Sequence, residues 1–220
     1  MPPSADDLEF IAGVTRLRSP KTVPEIALHL ADDLDVIWTD AQQRSGCVDE
    51  PIPFWAFAWA GGLAVARYLL DHPGAVSGKR VLDIGTGSGL CAIAAKLAGA
   101  ASVCAADIDP LCGAAVRLNA TANDVEVRFV ERDLLAEALP EVDLIVAGDI
   151  GYEASLARSM LDRLAVAHRN GAGVLIGDPE RRYFPHGEMR LLACFEIETT
   201  LELENSTRKR TGVYTFPDRA

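Results

Sequence analysis

A chain of 220 residues, 49% hydrophobic and 24% charged, matches one soluble globular domain and excludes a disordered, collagen-like or membrane-embedded protein. A formal net charge of −11 with a pI near 4.8 argues against duplex nucleic acid as a partner and fits a positively charged macromolecule better. The five cysteines show no C-x-x-C pair and no histidine at zinc-finger spacing, so no metal site is expected, and their odd number suits a reducing compartment. The N-terminal MPPSADDLEF has neither a basic nor an apolar signal region, and no window is long enough to span a membrane, which predicts a cytoplasmic protein. Asn119-Ala-Thr and Asn205-Ser-Thr match a glycosylation pattern that carries no weight without a secretory signal.

Along the chain, the sequence predicts a helix around Pro24–Leu34, a tryptophan-rich turn at Pro53–Trp59 and a helix over Gly61–Leu70. Residues 1–78 are read as an extension, its Trp-rich segment packed on a core of residues 79–220. From there β-branched runs alternate with helical periodicity: strands at Lys79–Ile84, Ala101–Ala106, Val125–Val130, Val142–Ala147 and Gly173–Gly177, helices at Gly89–Ala98, Pro110–Ala122 and Glu153–Arg169. Two further strand-like runs, Ala193–Leu203 and Gly212–Phe216, flank the polar stretch Glu204–Thr211 and predict an antiparallel hairpin at one sheet edge. The sum is an α/β fold with a doubly wound, seven-stranded sheet.

Val81-Leu-Asp-Ile-Gly-Thr-Gly-Ser-Gly-Leu is a strand running into a glycine loop that opens a helix, at the carboxyl end of the sheet where such folds bind ligands. A nicotinamide fingerprint needs G-x-G-x-x-G, but position 90 is Leu90, so the spacing is G-x-G-x-G over Gly85, Gly87 and Gly89. That loop suits S-adenosylmethionine (AdoMet), which has no pyrophosphate to cradle. Asp83 is placed to accept from the methionine ammonium, directly or through water, and Asp107, closing the next strand, to take both ribose hydroxyls. Asp133 is placed to accept from the adenine amino group, with Ile108 and Leu134 sandwiching the ring.

These residues, together with Pro24-Glu-Ile-Ala-Leu-His-Leu, Pro53-Phe-Trp-Ala-Phe-Ala-Trp-Ala-Gly-Gly, Asp107-Ile-Asp-Pro, Gly148-Asp-Ile-Gly-Tyr-Glu and Ile176-Gly-Asp-Pro, resemble the lysine methyltransferases of the electron transfer flavoprotein β-subunit. That family belongs to the seven-β-strand, Rossmann-like class I AdoMet-dependent methyltransferases, which have a C-terminal antiparallel hairpin; here a short N-terminal helical extension precedes the core. The resemblance implies that Trp59, Gly85, Gly87, Asp107 and Gly148 contact AdoMet, or its product S-adenosylhomocysteine, and that Asp149 and Tyr152 border a substrate lysine. Three positions depart from the family: Ala60 replaces proline, Gly151 a bulky residue and Glu180 glycine. Gly151 is expected to leave extra space beside the acceptor.

Methyl transfer is an in-line displacement that needs a positioned, neutral amine and no protein nucleophile. Asp149 is expected to capture the incoming ammonium, with Tyr152 and Trp55 or Trp59 forming an aromatic channel; its alternative role is an N-cap before Glu153–Arg169, and that of the tryptophans is core packing. Glutamine-amide and adenine methyltransferases carry Asn/Asp-Pro-Pro-Tyr here, whereas Asp149-Ile-Gly-Tyr152 lacks both prolines, which favours an sp3 amine. Two alternatives stay open: methylation of a translation-machinery protein such as ribosomal protein L11, whose methyltransferase also resembles Val81–Asn119, and a catalytically silent AdoMet-fold binding protein.

Overall fold

The computed structural model describes residues 3–217. Helix α1 (Ala5–Val14) starts at a capping box, in which the Ser4 hydroxyl accepts from the Asp7 amide at 3.1 Å and the Asp7 carboxylate accepts from the Ser4 amide at 3.1 Å. Strands β1 (Arg16–Arg18) and β2 (Leu28–Leu30) then pair antiparallel. The helix expected over Pro24–Leu34 is therefore absent. Leu28 and Leu30 are buried on either side of a part-exposed His29, the alternation of a strand. Two asparagines, one within a later helix and one at its C-cap, hold this segment extended: Asn123 accepts from the Ala27 amide at 2.8 Å and Asn119 from the His29 amide at 2.6 Å.

Helix α2 (Leu34–Ser45) was not anticipated, although its signals are present. Asp33 caps it by accepting from the Val36 amide, Gly46 ends it in the left-handed region at φ +69°, and Ile37 and Ala41 are buried on one face. The tryptophan-rich turn contains a single 3-10 turn, Phe54–Ala56, and leads into α3 (Ala60–Asp71).

The core alternates as expected: β3 (Arg80–Ile84), α4 (Leu90–Leu97), β4 (Ser102–Asp107), α5 (Leu111–Ala122), β5 (Arg128–Glu131), β6 (Leu144–Gly148), α6 (Ala154–Arg169) and β7 (Gly173–Asp178). No crossover helix joins β5 to β6. The closing hairpin is β8 (Arg190–Glu198) and β9 (Arg208–Thr215), with a one-turn helix α7 (Leu201–Glu204) in its connection. The first hairpin strand thus begins and ends earlier than its apolar run suggested, and the second begins within the stretch taken as polar connection.

The seven strands lie in the order β5-β4-β3-β6-β7-β9-β8, parallel except for β9, which runs antiparallel to both neighbours. Alternate residues of β3 serve opposite faces: Val81 packs with α3 and α4, Leu82 and Ile84 with α6. A third cluster joins α1 and α2 to α5 through Ile11, Ile37, Trp55 and Cys112. Strand order reverses between β3 and β6, so the loops after these two strands flank the crevice where open α/β sheets bind ligands.

Candidate active site

The loop after β3 is a tight left-handed turn, with Gly85, Gly87 and Gly89 at φ +64°, +50° and +83°. Gly89 also caps α4, where its missing side chain lets Val116 approach. Asp83 is 2% exposed and serves this loop from beneath: its Oδ2 accepts from the Thr86 hydroxyl at 2.6 Å and from the Ala92 amide of α4 at 3.0 Å. Both bonds use Oδ2, so Oδ1 is the oxygen Asp83 has left for the expected bond to a ligand ammonium, directly or through water. Burial pushes its carboxyl up to about 7, against the pull of Thr86 and Ala92.

Asp107 stands at the end of β4, where Oδ2 accepts from the Gly87 amide at 3.0 Å and Oδ1 from the Asp109 amide at 3.2 Å. The next residue, Ile108, is 70% exposed, an uncovered aliphatic face beside the carboxylate. Above Gly85 an added methyl would meet nothing within 4 Å. An open glycine cradle, a carboxylate at its rim and a bare apolar side chain beside it fit an AdoMet nucleoside.

The adenine end departs from expectation. Asp133 is exposed and accepts from the Leu135 amide at 2.8 Å, but Leu134 is 5% exposed and packs into the cluster below the sheet. Leu134 belongs to the same core cluster as Ile84 and Ala106 and leaves little of its surface open to an adenine ring, so Ile108 is the more exposed of the two expected partners.

The loop after β6 is built by close packing. A methyl on Gly61 would lie 2.4 Å from the Gly177 carbonyl oxygen, one on Gly177 would lie 2.0 Å from that of Gly61, and one on Gly148 would lie 2.6 Å from the Gly62 amide nitrogen. Gly148, expected to touch cofactor, is thus also the residue that lets the start of α3 rest on β6 and β7. Against this contact Asp149 adopts φ +57°, a left-handed conformation that aspartate tolerates better than most residues. Its Oδ2 accepts from the Gly61 and Gly62 amides at 2.6 and 3.2 Å. Asp149 therefore caps α3. It does not cap α6, whose N-cap is Glu153.

The other Asp149 oxygen is also committed. Arg181 donates to Oδ1 from Nη2 at 2.7 Å and from Nε at 3.2 Å, and to both oxygens of Glu204 on α7 at 2.7 and 2.9 Å. The Glu204 side chain is 2% exposed. Burial raises the Asp149 carboxyl to about 6, Arg181 opposing. Neither Arg181 nor Glu204 was anticipated from sequence; a buried glutamate between two strands is visible only once the fold is known.

Tyr152 is half-exposed, and its ring lies 5.8 Å from that of Phe54. Phe54 in turn packs 5.6 Å from Trp59, whose indole nitrogen donates to the Phe54 carbonyl at 3.0 Å. The aromatic wall is therefore Phe54, Trp59 and Tyr152. Trp55 is not part of it: at 1% exposure its ring lies in the third core cluster against Phe10, because successive residues of a 3-10 turn are rotated by about 120° and so face different surroundings. Nor does Gly151 leave room. An added methyl would sit 2.9 Å from Arg181, Asp178 and Phe184, so these three already occupy the space.

Among the described residues no cluster of histidine, cysteine or carboxylates could hold a metal ion, and no helix is long and apolar enough to cross a membrane. The family model for ribosomal protein L11 methyltransferase (PrmA) matches residues 69–174, which is the cofactor half of the sheet and α6. The ribosomal protein L11 methylase of Lactobacillus delbrueckii subsp. bulgaricus superposes over 74% of this chain and 81% of its own with a TM-score of 0.52 at 22% identity, which is a likeness of fold. Two curated relatives match almost throughout. The electron transfer flavoprotein beta subunit lysine methyltransferase of Danio rerio is 35% identical over 97% of this chain and 84% of its own. That of Xenopus laevis is 38% identical over 94% and 85%. With likeness that spans nearly the whole chain and not the cofactor half alone, the chain belongs to the electron transfer flavoprotein beta subunit lysine methyltransferase family and is an AdoMet-dependent protein-lysine methyltransferase.

Proposed function

We propose that this protein methylates lysine side chains of the electron transfer flavoprotein β-subunit. The supporting observation is the near-full-length likeness to enzymes named for that substrate, which includes the acceptor side of the site. When bound, AdoMet supplies a methyl group on a positive sulfur. In the proposed arrangement Asp107 takes the ribose hydroxyls, Ile108 covers one face of the adenine, Asp133 reaches its amino group, and Gly85, Gly87 and Gly89 admit the amino-acid end. Asp83 braces the loop through Oδ2 and accepts from the methionine ammonium through Oδ1, directly or through water.

The acceptor lysine arrives as an ammonium, since its ordinary pKa is about 10.4. Phe54, Trp59 and Tyr152 present ring faces that attract a cation and exclude water, and dehydration in turn favours loss of its proton to solvent, which leaves the neutral amine needed for attack. Two carboxylates and one guanidinium leave the Asp149–Arg181–Glu204 cluster with one unmatched negative charge, to which the ammonium docks. In this division of labour residues 1–78 provide Phe54 and Trp59 of the aromatic wall and the start of α3, and residues 79–220 provide Tyr152 and the cofactor core. The acidic charge fits a cytoplasmic enzyme acting on a basic protein segment and not on nucleic acid.

The alternative substrate, ribosomal protein L11, draws on the PrmA model, which stops at residue 174, before Arg181 and the hairpin. Purified enzyme incubated with methyl-labelled AdoMet and electron transfer flavoprotein should label lysines of the β-subunit, and Asp149→Ala should abolish the label. Label on L11 alone, with both proteins supplied, would reject the flavoprotein.

A further inference from the structure

The Asp149 carboxylate is ringed by donors yet keeps 12% of its side-chain surface open. The Gly61 and Gly62 amides of α3 donate to one oxygen and Arg181 to the other. Glu204 of α7 stands behind Arg181, and the Cys91 thiol of α4 is near enough for Asp149 to help hold it protonated. Across Gly151 lies Asp178, buried at the end of β7, with His186 on its Oδ1 at 2.9 Å and its Oδ2 unpartnered. Of these groups Arg181 is the only cation in direct contact with Asp149. It reaches the site from the loop after β7 and is gripped there by a glutamate that is itself buried.

We infer that Arg181 is a positioning residue for methyl transfer: it keeps Asp149 ionised so that the carboxylate can dock the acceptor ammonium, while Glu204 draws enough of the guanidinium charge to leave Asp149 attractive to a second cation. This rests on the lysine-methyltransferase reading above. The physical necessity lies in burial, which by itself drives Asp149 toward its neutral acid; a neutral acid has no charge with which to hold an ammonium. Arg181 opposes this drift and Glu204 reinforces it, so the two neighbours act on Asp149 in opposite directions. Full neutralisation of Asp149 by Arg181 would be equally unproductive, and the buried Glu204 prevents it.

The opposite signs make the test. Michaelis constants for the electron transfer flavoprotein β-subunit would be measured from pH 5.5 to 8.5 for wild type, Arg181→Ala, Arg181→Lys and Glu204→Gln, with AdoMet affinity followed in parallel by calorimetry. In wild type KM should rise as the pH falls through about 6, where Asp149 gains its proton. Arg181→Ala should move that rise to higher pH and increase KM roughly tenfold at pH 7, the cost of about one charge-assisted contact. Arg181→Lys should restore most of the loss. Glu204→Gln should move the rise to lower pH while increasing KM above it. AdoMet affinity should stay within about twofold throughout. A structural role alone would lower activity with one pH profile common to all variants, and that result overturns the inference, as does an Arg181→Lys variant no better than Arg181→Ala. If Arg181→Ala does not fold, the direction of the Glu204→Gln displacement decides. Absence of lysine label with wild type would instead overturn the underlying reading.

Discussion

A methyl group added at Gly85 touches nothing within 4 Å, whereas at Gly61, Gly148 or Gly177 it falls between 2.0 and 2.6 Å from backbone atoms. The same contrast runs through the side chains. On the cofactor side Asp107 accepts from two amides and Ile108 lies bare; on the acceptor side Asp149 is shut in by a helix end, an arginine and a second carboxylate. One half of the crevice is shaped by backbone conformation around open space and the other by tight packing and buried charge. Substitutions in the two halves should therefore fail differently: the first in ligand affinity, the second in stability and pH response.

The largest effect should come from Gly177→Ala. Its methyl would meet the Gly61 carbonyl and force α3 off the sheet, destabilising the protein by about 3 kcal/mol as read from the urea midpoint. Gly85→Ala, with no clash, should bear only the ~1 kcal/mol of an alanine held left-handed, and equal losses would erase the contrast. Next, Asp107→Ala should weaken AdoMet binding by about 2–3 kcal/mol, roughly 30- to 150-fold in calorimetry, with a far smaller change in the unfolding midpoint. A parallel loss of stability would show that Asp107 holds the Gly87 turn more than it holds a ligand.

The last effect concerns Asp83 and depends on pH. Its folded pKa of about 7 lies above the ordinary 3.8, so the folded protein binds this proton more tightly than the unfolded chain. That contribution to stability is complete below about 4, declines as the pH rises toward 7 and is lost above it. Asp83→Asn keeps an oxygen for Thr86 and Ala92 without the charge. Its midpoint should match wild type near pH 4 and exceed it by on the order of 1 M in urea near pH 8. An unchanged difference between the two pH values would show that the carboxylate is not penalised by burial.

The cofactor half was legible in the sequence because strand, turn and carboxylate follow one another within Val81–Asp107 and each has a local signature. Much of the acceptor half was not. Asp149, Arg181 and Glu204 come from three separate connections, and no spacing rule links them before β6, β7 and the hairpin are laid side by side. Trp55 and Phe54 are adjacent in sequence, and only the sense of one 3-10 turn decides which ring is buried. Gly151 read as space because a glycine was taken without its neighbours. The Pro24–Leu34 segment failed for a related reason: Asn119 and Asn123, some 90 residues away, supply the hydrogen bonds that make it extended. By contrast α2 could have been found, since Leu34, Ile37, Trp38 and Ala41 follow helical spacing between Asp33 and Gly46.

The order of the sheet places its short strand β5 at one margin and β8 at the other. β5 has only four residues and is bracketed by Arg128 and Glu131; β8 carries Arg190, Glu196 and Glu198 and is interrupted by a register shift between Leu191 and Ala193. Charges, brevity and irregularity all discourage another backbone from continuing the ladder. The margins of the large sheet are thus poorly suited to recognition by strand addition, a mode that reads main chain along a sheet margin, and favour a protein substrate that offers a protruding side chain, end-on, to the loops at the top of the sheet.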